Sequence, residues 1–437
     1  LWAGVGGLIL LSVALPAVQW VVLKMLPFDN KSEFQVVVDL PAGAPLERTA
    51  SALADMGRFL ATVPEVSNYQ VYAGLAAPIN FNGLVRQYYL RAGAELGDIQ
   101  VNLVGKHARS EQSHAIAARL RPQLASIGAR YGAVVKVVEV PPGPPVLAPI
   151  VAEIYGPDEA GRLRVAEAVR TAFLRAPGLV DVDASYTGVA PREVVAVDRQ
   201  KAALLGVADA DVVATMRAGI AGQDATFLQD AAKYPAPLRL QLPDSTRGSL
   251  DAVLDLGVRA SSGAIVPLGS LVEVRGTTVE QARYHKDLLP VVYVTGDESG
   301  HVDSPLYGMF GLRGAIGRIV APDGGGLAEY FIHQPSDPYR GYALKWDGEW
   351  QITYETFRDM GAAYAVGLVL IYLLVVMQFG SYLTPLVIMA PIPLTIIGVM
   401  PGHALLHAQF TATSMIGMIA LAGIIVRNSI LLVDFIR

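Results

Sequence analysis

Met360-Gly-Ala-Ala-Tyr-Ala-Val-Gly-Leu-Val-Leu-Ile-Tyr-Leu-Leu-Val-Val-Met-Gln-Phe379 opens a run of 67 residues, Met360 to Val426, that contains no Asp, Glu, Lys or Arg. A membrane helix needs about 20 apolar residues at about 1.5 Å rise each, so this run is too long for one span and suits three. Turn chemistry divides it. Gln378-Phe-Gly-Ser-Tyr-Leu-Thr-Pro385 parts the first span from the second, and Pro401-Gly402 with the polar run His403 to Thr411 parts the second from the third. The predicted spans are about 361–379, 385–401 and 411–435. Leu1–Leu23 is also uncharged and predicts a fourth span. It lacks the initiator Met and basic leader of a signal peptide, and its apolar stretch is too long for one. Both termini look cut, so the chain reads as a piece of a longer protein.

The remaining composition agrees with a membrane protein. Of 437 residues, 52% are hydrophobic and 17% charged, and mean hydropathy is +0.40. Disorder needs the opposite balance, and an ordinary soluble domain carries roughly 25% charged residues. The formal net charge of −5 lacks the basic excess of a nucleic-acid binder. With no Cys, disulfides, thiolate metal sites and a cysteine nucleophile are excluded.

Residues 24–359 hold nearly every charge. So long a loop carries no positive-inside signal. Alternation and helical periodicity predict a strand at Phe34–Leu40, a helix at Leu46–Val63 and a strand at Val66–Ala73. Strands at Val85–Leu90 and Ile99–Val104, a helix at Ser110–Ile127 and a strand at Ala133–Val140 follow. That order, β-α-β-β-α-β, is the ferredoxin-like unit. After the linker Pro141-Pro-Gly-Pro-Pro145 the pattern restarts, with a strand at Ile150–Tyr155, a helix at Glu159–Leu174 and a strand at Val180–Tyr186. Short helices and strands from about Pro191 to Arg275 read as an insertion, after which the second unit resumes near Val291–Thr295 and closes near Tyr342–Trp346. The predicted fold class is a membrane α-helical bundle of four spans plus α+β domains.

Motifs for enzyme chemistry are sparse, and the chain reads as no enzyme. Gly105-Lys106 lacks the rest of a phosphate-cradling loop. Gly308, Gly311, Gly314 and Gly317 do not form the dinucleotide fingerprint and predict a loop or poor helix. His403 and His407 have the i, i+4 spacing of metal ligands but no Glu between them, beside Pro401-Gly402, and read as a boundary turn. Asp181-Val-Asp183 alternates along a strand, the pattern of a solvated edge. The expected cofactor is none and the expected metal is none. Absence of Cys and of methionine pairs within the spans argues against a soft-metal cargo.

The exception is Ala422-Gly-Ile-Ile-Val-Arg-Asn-Ser-Ile-Leu-Leu-Val-Asp434. On a helix from Thr411 to Arg437, Arg427 lies about 15 Å from the nearer end, too deep for easy snorkelling. Insertion scales put such a charge at about 2.5–3.5 kcal/mol, so it should face a carboxylate in the bundle interior. Asp434, two turns on, is about 10 Å away along the axis and too far for a direct pair. The partner of Arg427 is therefore expected on a helix outside this chain.

Gly423-Ile-Ile-Val-Arg-Asn-Ser-Ile-Leu-Leu-Val-Asp-Phe435 resembles the intramembrane relay helix of resistance-nodulation-division (RND) efflux permeases. Leu26-Pro-Phe-Asp-Asn-Lys-Ser-Glu-Phe34 and Leu40-Pro-Ala-Gly-Ala44 are similar to the family's exit from the first helix of its C-terminal half. Asp198-Arg-Gln-Lys-Ala-Ala-Leu-Leu-Gly-Val207 and Val266-Pro-Leu-Gly-Ser270 resemble the two ends of its funnel, or docking, insertion. The resemblance covers essentially the whole chain and is weakest from about Glu298 to Leu344.

The resemblance implies domains: a transmembrane helix at 1–23, a first porter subdomain at 24–143, a second at 144–190 and 276–358, a docking insertion at 191–275, and three transmembrane helices at 359–437. It implies a multi-pass protein of the bacterial inner membrane with a periplasmic headpiece, working as a homotrimer. An adaptor (membrane fusion) protein and an outer-membrane channel are the implied partners, the lipid bilayer surrounds it, and nucleic acid plays no part. The implied energy source is the proton gradient and the implied activity is export of small molecules.

Arg427 and Asn428 are then the implied proton-relay residues. Arg427 falls where many drug-exporting members carry a lysine; because arginine keeps its charge, it is expected to be a fixed countercharge. The loop Gly74-Leu-Ala-Ala-Pro-Ile-Asn-Phe-Asn-Gly83 matches the loop lining the family's drug pocket, which makes Asn80, Phe81 and Asn82 the implied substrate-binding residues. The glycine-rich segment His301 to Gly326 stands where the family has a porter helix, and is expected to be shortened, looped or disordered. The alternatives are an RND-related lipid or secretion factor and a membrane-anchored periplasmic scaffold without transport.

Overall fold

The computed structural model describes residues 2–140, 143, 145–229, 233–299 and 304–436. Pro141, Pro142 and Pro144 of the expected linker, and His301 to Asp303 of the glycine-rich segment, lie outside the described residues.

Helix α1 (Trp2–Ala14) is apolar and ends at Ala14. The expected span to Leu23 is corrected here. Pro16 has no N–H to continue the helix, the backbone turns at Gln19 with φ 61°, and Lys24 N–H donates to the Phe410 carbonyl at 3.1 Å.

The first lobe runs β1 (Glu33–Asp39), α2 (Leu46–Leu60), β2 (Val66–Leu75), α3 (Phe81–Val85), β3 (Ala92–Leu103), α4 (Ser113–Ala129) and β4 (Val134–Val138). Its four strands are antiparallel in the order β2-β3-β1-β4. Alternation decides which face is dry. Phe34, Val36 and Val38 of β1 pack with Ile99, Val101, Val135 and Val137 beneath Leu53, Met56 and Leu60 of α2 and Ile116, Leu120 and Leu124 of α4. The strand expected at Val85–Leu90 is not a strand. Asn80 caps α3 by accepting the Gly83 N–H at 2.7 Å, Gln87 turns with φ 58°, and a 3-10 turn covers Tyr88–Leu90.

The second lobe begins with β5 (Ile150–Tyr155), α5 (Glu159–Arg175) and β6 (Leu179–Ala184). A separate compact unit, Val189–Glu280, then interrupts it. That unit holds β7 (Pro191–Val197), α6 (Arg199–Leu204), α7 (Asp209–Ala221), the hairpin β8 (Gln223–Leu228) and β9 (Ala236–Leu240), and the one-turn helices α8 (Asp244–Arg247) and α9 (Leu250–Leu254). It closes with β10 (Gly257–Arg259), β11 (Ile265–Pro267) and β12 (Val272–Thr278), which returns antiparallel to β7. Its own core is Ala202, Val212, Val258, Leu268 and Leu271.

The second lobe resumes with β13 (Tyr284–Lys286), β14 (Leu289–Glu298), α10 (Pro305–Ile316), β15 (Ala328–Tyr330) and β16 (Ala343–Gly348). Its strands lie in the order β13-β14-β5-β16-β15, with β6 also on β14. The glycine-rich segment, expected to be a loop or poor helix and shortened, looped or disordered overall, is helical over the 12 residues of α10. Met309, Leu312 and Ile316 are buried against Ile150, Phe173 and Trp346, and this burial outweighs the glycine cost of about 1 kcal/mol each. Gly308 fits where a Cβ would lie 2.8 Å from Ile150.

Three helical stretches are long and apolar enough to cross a membrane: Glu349–Phe379, Thr384–Leu405 and Ala412–Ile436. The first is the single helix α11 (Glu349–Phe379), which starts twelve residues before the predicted span and follows β16 without a loop. The second is broken into α12 (Thr384–Met389), a 3-10 turn at Pro393–Thr395 and α13 (Ile396–Leu405). Pro391 and Pro393 account for the break. The third is α14 (Ala412–Ile436).

Candidate functional site

The face of the first sheet opposite its helices is polar, because the other half of each alternating strand points there. Gln35 and Asp39 of β1, Asp98 and Gln100 of β3, and Lys136 of β4 share it, with Val37 in register with both Asp98 and Lys136. Residues 76–91 lie across this face as a strap. Asp98 accepts the Ala77 N–H at 2.9 Å and the Gln35 side-chain amide at 3.1 Å. Arg91, at the far end of the strap, pairs with Asp39 at 2.6 Å and approaches Asp98 at 3.6 Å.

Charges under the strap respond to burial in opposite ways. Burial raises the Asp39 carboxyl, but Lys136 and Arg91 outweigh it and hold it down at about 2. Burial pushes Asp98 above the usual carboxylate range, and Arg91 only partly opposes it. Burial works against the Lys136 ammonium, yet Asp183 and Asp39 raise it, so it stays charged.

The three strap residues singled out in the sequence separate. Asn80 is committed to the fold, with its amide donating to Gln100 at 3.0 Å and its oxygen capping α3. Asn82 is 3% exposed, whereas Phe81 is 47% exposed. Of the three, Phe81 is the one with exposed apolar surface.

Several charged residues escaped sequence reasoning. Asp181, read as part of a solvated edge, is buried: its side chain is 7% exposed and pairs with Arg121 of α4 at 3.2 Å. The cause is a register shift between β14 and β6 that accompanies φ 52° at Asp181 and turns its side chain toward the first lobe. Glu153 sits fully buried in β5 between Lys286 and Lys345, and Lys286 also bonds Asp347. Burial raises the Glu153 carboxyl. Asp347 is also raised by burial, but its hydrogen bonds with Glu153 and Lys286 and the nearby Lys345 bring it down to about 2. An isolated Glu in the apolar run Ile150–Tyr155 was the one available signal.

Within the apolar helices, Ala422 and Val426 of α14 are buried against α11 and α12, while Arg427 and Asn428 are exposed. Among the described residues neither has an ion pair or side-chain hydrogen bond, and Asp434 is exposed as well. His403 uses one ring nitrogen on the Val399 carbonyl at 2.8 Å and the other on Ser414 at 3.0 Å. Among the described residues no group of three or more His, Asp or Glu is placed to hold a metal. Met400, Met415 and Met418 gather in one cluster, so the argument from missing methionine pairs does not stand.

Comparison with protein families matches residues 3–304 and 332–437 to the AcrB/AcrD/AcrF family. The chain belongs to this family. It is similar to the cobalt-zinc-cadmium resistance protein CzcA of Cupriavidus metallidurans, 24% identical over 291 residues that make up 66% of this chain and 26% of CzcA. It is also similar to the multidrug resistance protein MdtC of Serratia proteamaculans, 22% identical over 344 residues, 78% of this chain and 31% of MdtC. A crystal structure of a heavy metal efflux pump superposes over 99% of this chain and 43% of its own, with TM-score 0.73 and 19% identity. The chain therefore spans less than half the length of these family members, and the fold is that of an RND permease.

Proposed function

We propose that this chain is the C-terminal part of the inner-membrane permease of a proton-driven RND efflux pump, exporting small molecules from the periplasm or inner membrane. The two lobes are its periplasmic porter subdomains, both ferredoxin-like, and Val189–Glu280 is the docking insertion that meets an adaptor protein and an outer-membrane channel. The working unit is a homotrimer that needs the N-terminal half of the permease. α1 belongs to a fourth span.

The observation that carries this reading is Arg427. A permanent positive charge deep in an apolar helix, exposed on the face turned away from α11 and α12, supports a carboxylate partner on a helix outside the chain. Carboxylates held beside it are depressed in pKa and lose that attraction on taking up a proton. The change in pairing moves α14 and couples proton flow to the lobes. Asn428 adds a hydrogen bond to the same carboxylates. Phe81 contributes to the cargo path.

The test is ethidium accumulation in cells making the complete permease. The intact protein keeps accumulation low and a protonophore abolishes this. Arg427→Ala leaves the protein in the membrane but raises accumulation to that of cells without the pump, and Arg427→Lys restores part of the difference. Normal export by Arg427→Ala would overturn the assignment.

A further inference from the structure

Where the two lobes meet, three ion pairs cross from one to the other, all with the same polarity. Arg121 of α4 donates to Asp181 of β6 at 3.2 Å, Lys136 of β4 bonds Asp183 of β6, and Arg86, just past α3, faces Asp297 of β14 at 3.7 Å. Cations come from the first lobe and carboxylates from the second. Five of the six groups are largely dry, with side-chain exposure of 3% for Lys136, 7% for Asp181, 8% for Arg86, 11% for Arg121 and 15% for Asp297, whereas Asp183 is 39% exposed. Asp181 also accepts the Val137 N–H at 3.2 Å, and Arg121 donates to the Val137 carbonyl at 3.1 Å, so the contact reaches the edge strand of the first sheet.

The charges around this junction do not balance. Arg86, Arg91, Arg121 and Lys136 face five carboxylates, Asp39, Asp98, Asp181, Asp183 and Asp297. A surplus negative charge held among largely buried groups lowers its energy by binding a proton, and Asp183, open to water, bears least of that cost. Asp39 pairs with Lys136 and Arg91 of its own lobe, cations it shares with Asp183 and Asp98, and Asp98 is covered by that lobe's own strap. Asp181 differs, because its cover comes from α4 and β4 of the opposite lobe.

We propose that the junction between the lobes is a latch that takes up one proton from the surrounding water, on the Asp181 carboxylate, when it closes and releases it when it opens. Each element around Asp181 contributes. Arg121 of α4 attracts its charge, Asp297 of β14 repels it, and its own strand carries Asp183, which Lys136 of β4 neutralises. Arg86 in turn draws on Asp297. The sum is a carboxyl that burial, against the pull of Arg121 and with the push of Asp297, raises to about 6 in the closed form. Opened to water, the same group returns to the ordinary carboxylate range. The acid form is favoured in the closed state, so acidification closes the latch. The left-handed backbone at Asp181, a conformation costly for a residue with a side chain, holds the carboxyl in this position.

This chain has no Cys, so one pair of spin labels per protomer is placed at Ser51→Cys on α2 and Leu174→Cys on α5, both exposed, in the complete permease with any cysteine outside these residues replaced. Inter-label distances are measured on the membrane-reconstituted protein from about pH 8 to about pH 5. The short-distance population should rise as pH falls below about 6, the value the closed form gives Asp181, and level off toward the ordinary carboxylate range. Asp181→Asn, which mimics the protonated side chain, should hold the short distance at every pH. Asp297→Asn removes the repulsion and should move the rise to lower pH. A distance distribution that does not change with pH, or a transition retained in Asp181→Asn, would overturn the proposal. If Asp181→Asn does not fold, an unmoved rise in Asp297→Asn overturns it alone.

Discussion

Gly348 and Pro149 meet backbone to backbone. Gly348 has φ 94°, and a Cβ there would lie 2.7 Å from the Pro149 carbonyl oxygen and 2.6 Å from that of Ala148. The same Pro149 carbonyl accepts the Glu349 N–H at 3.0 Å, the first donor of α11. Only glycine lets β16 turn into α11 at this distance.

Gly348→Ala should therefore destabilise the second lobe by about 2 kcal/mol or more, from the steric clash and the left-handed backbone together. Thermal unfolding of the purified protein measures it. A melting temperature equal to that of the parent would show that the junction has room to shift.

In α10 two substitutions should act in opposite directions. Leu312 is buried in the second core, so Leu312→Ala should cost about 2–5 kcal/mol. Gly311 has nothing within 4 Å of its absent Cβ, so Gly311→Ala should stabilise by about 0.5–1 kcal/mol through helix propensity alone. Denaturant titration of both variants tests whether burial or propensity holds this helix.

Acid should weaken the fold through Asp39 and Asp347, each held at about 2 in the folded chain against the ordinary 3.8. A depressed pKa means that the stabilisation is present above about pH 4 and is lost as pH falls toward 2, about 2 kcal/mol for each group. Glu153, raised by burial, titrates in the opposite sense, so comparison with variants isolates the effect. The loss of stability between pH 5 and pH 2.5 should be shallower in Asp39→Asn than in the parent, and shallower again with Asp347→Asn added. Equal slopes in all three would count against these pairs.

Phe81 is half-exposed on the strap and contributes little to packing, so Phe81→Ala should change stability by no more than about 0.5 kcal/mol. In the complete permease it should narrow or alter the set of compounds exported. An unchanged set of minimum inhibitory concentrations would remove Phe81 from the cargo path.

Strand and helix positions were legible where burial follows a simple period. Phe34, Val36 and Val38 alternate and face the helices, and Ile150–Tyr155 is a strand from end to end. Three features broke that logic. Pro16 ended an apolar helix that composition alone carried on to Leu23. Tertiary burial of Met309, Leu312 and Ile316 overrode the glycines of α10. A bulge put Asp181 under Arg121, and no local pattern distinguishes that carboxylate from a solvated one. The candidate residues were legible in the same uneven way: Arg427 is conspicuous in an apolar run, whereas nothing in the sequence marks Asn80 as the cap of α3.

At 31 residues α11 is about 46 Å long, roughly half as long again as the apolar core of a bilayer. Its first turns are clamped by Trp350, which meets Phe310 of α10 at 5.7 Å and Phe331 at 6.2 Å between ring centres. Because Gly348 joins it to β16 with no intervening loop, the helix and an inner strand of the second sheet form one stiff rod. Any displacement of α11 along its axis would therefore be carried into the middle of the sheet, since no loop lies between them to absorb it.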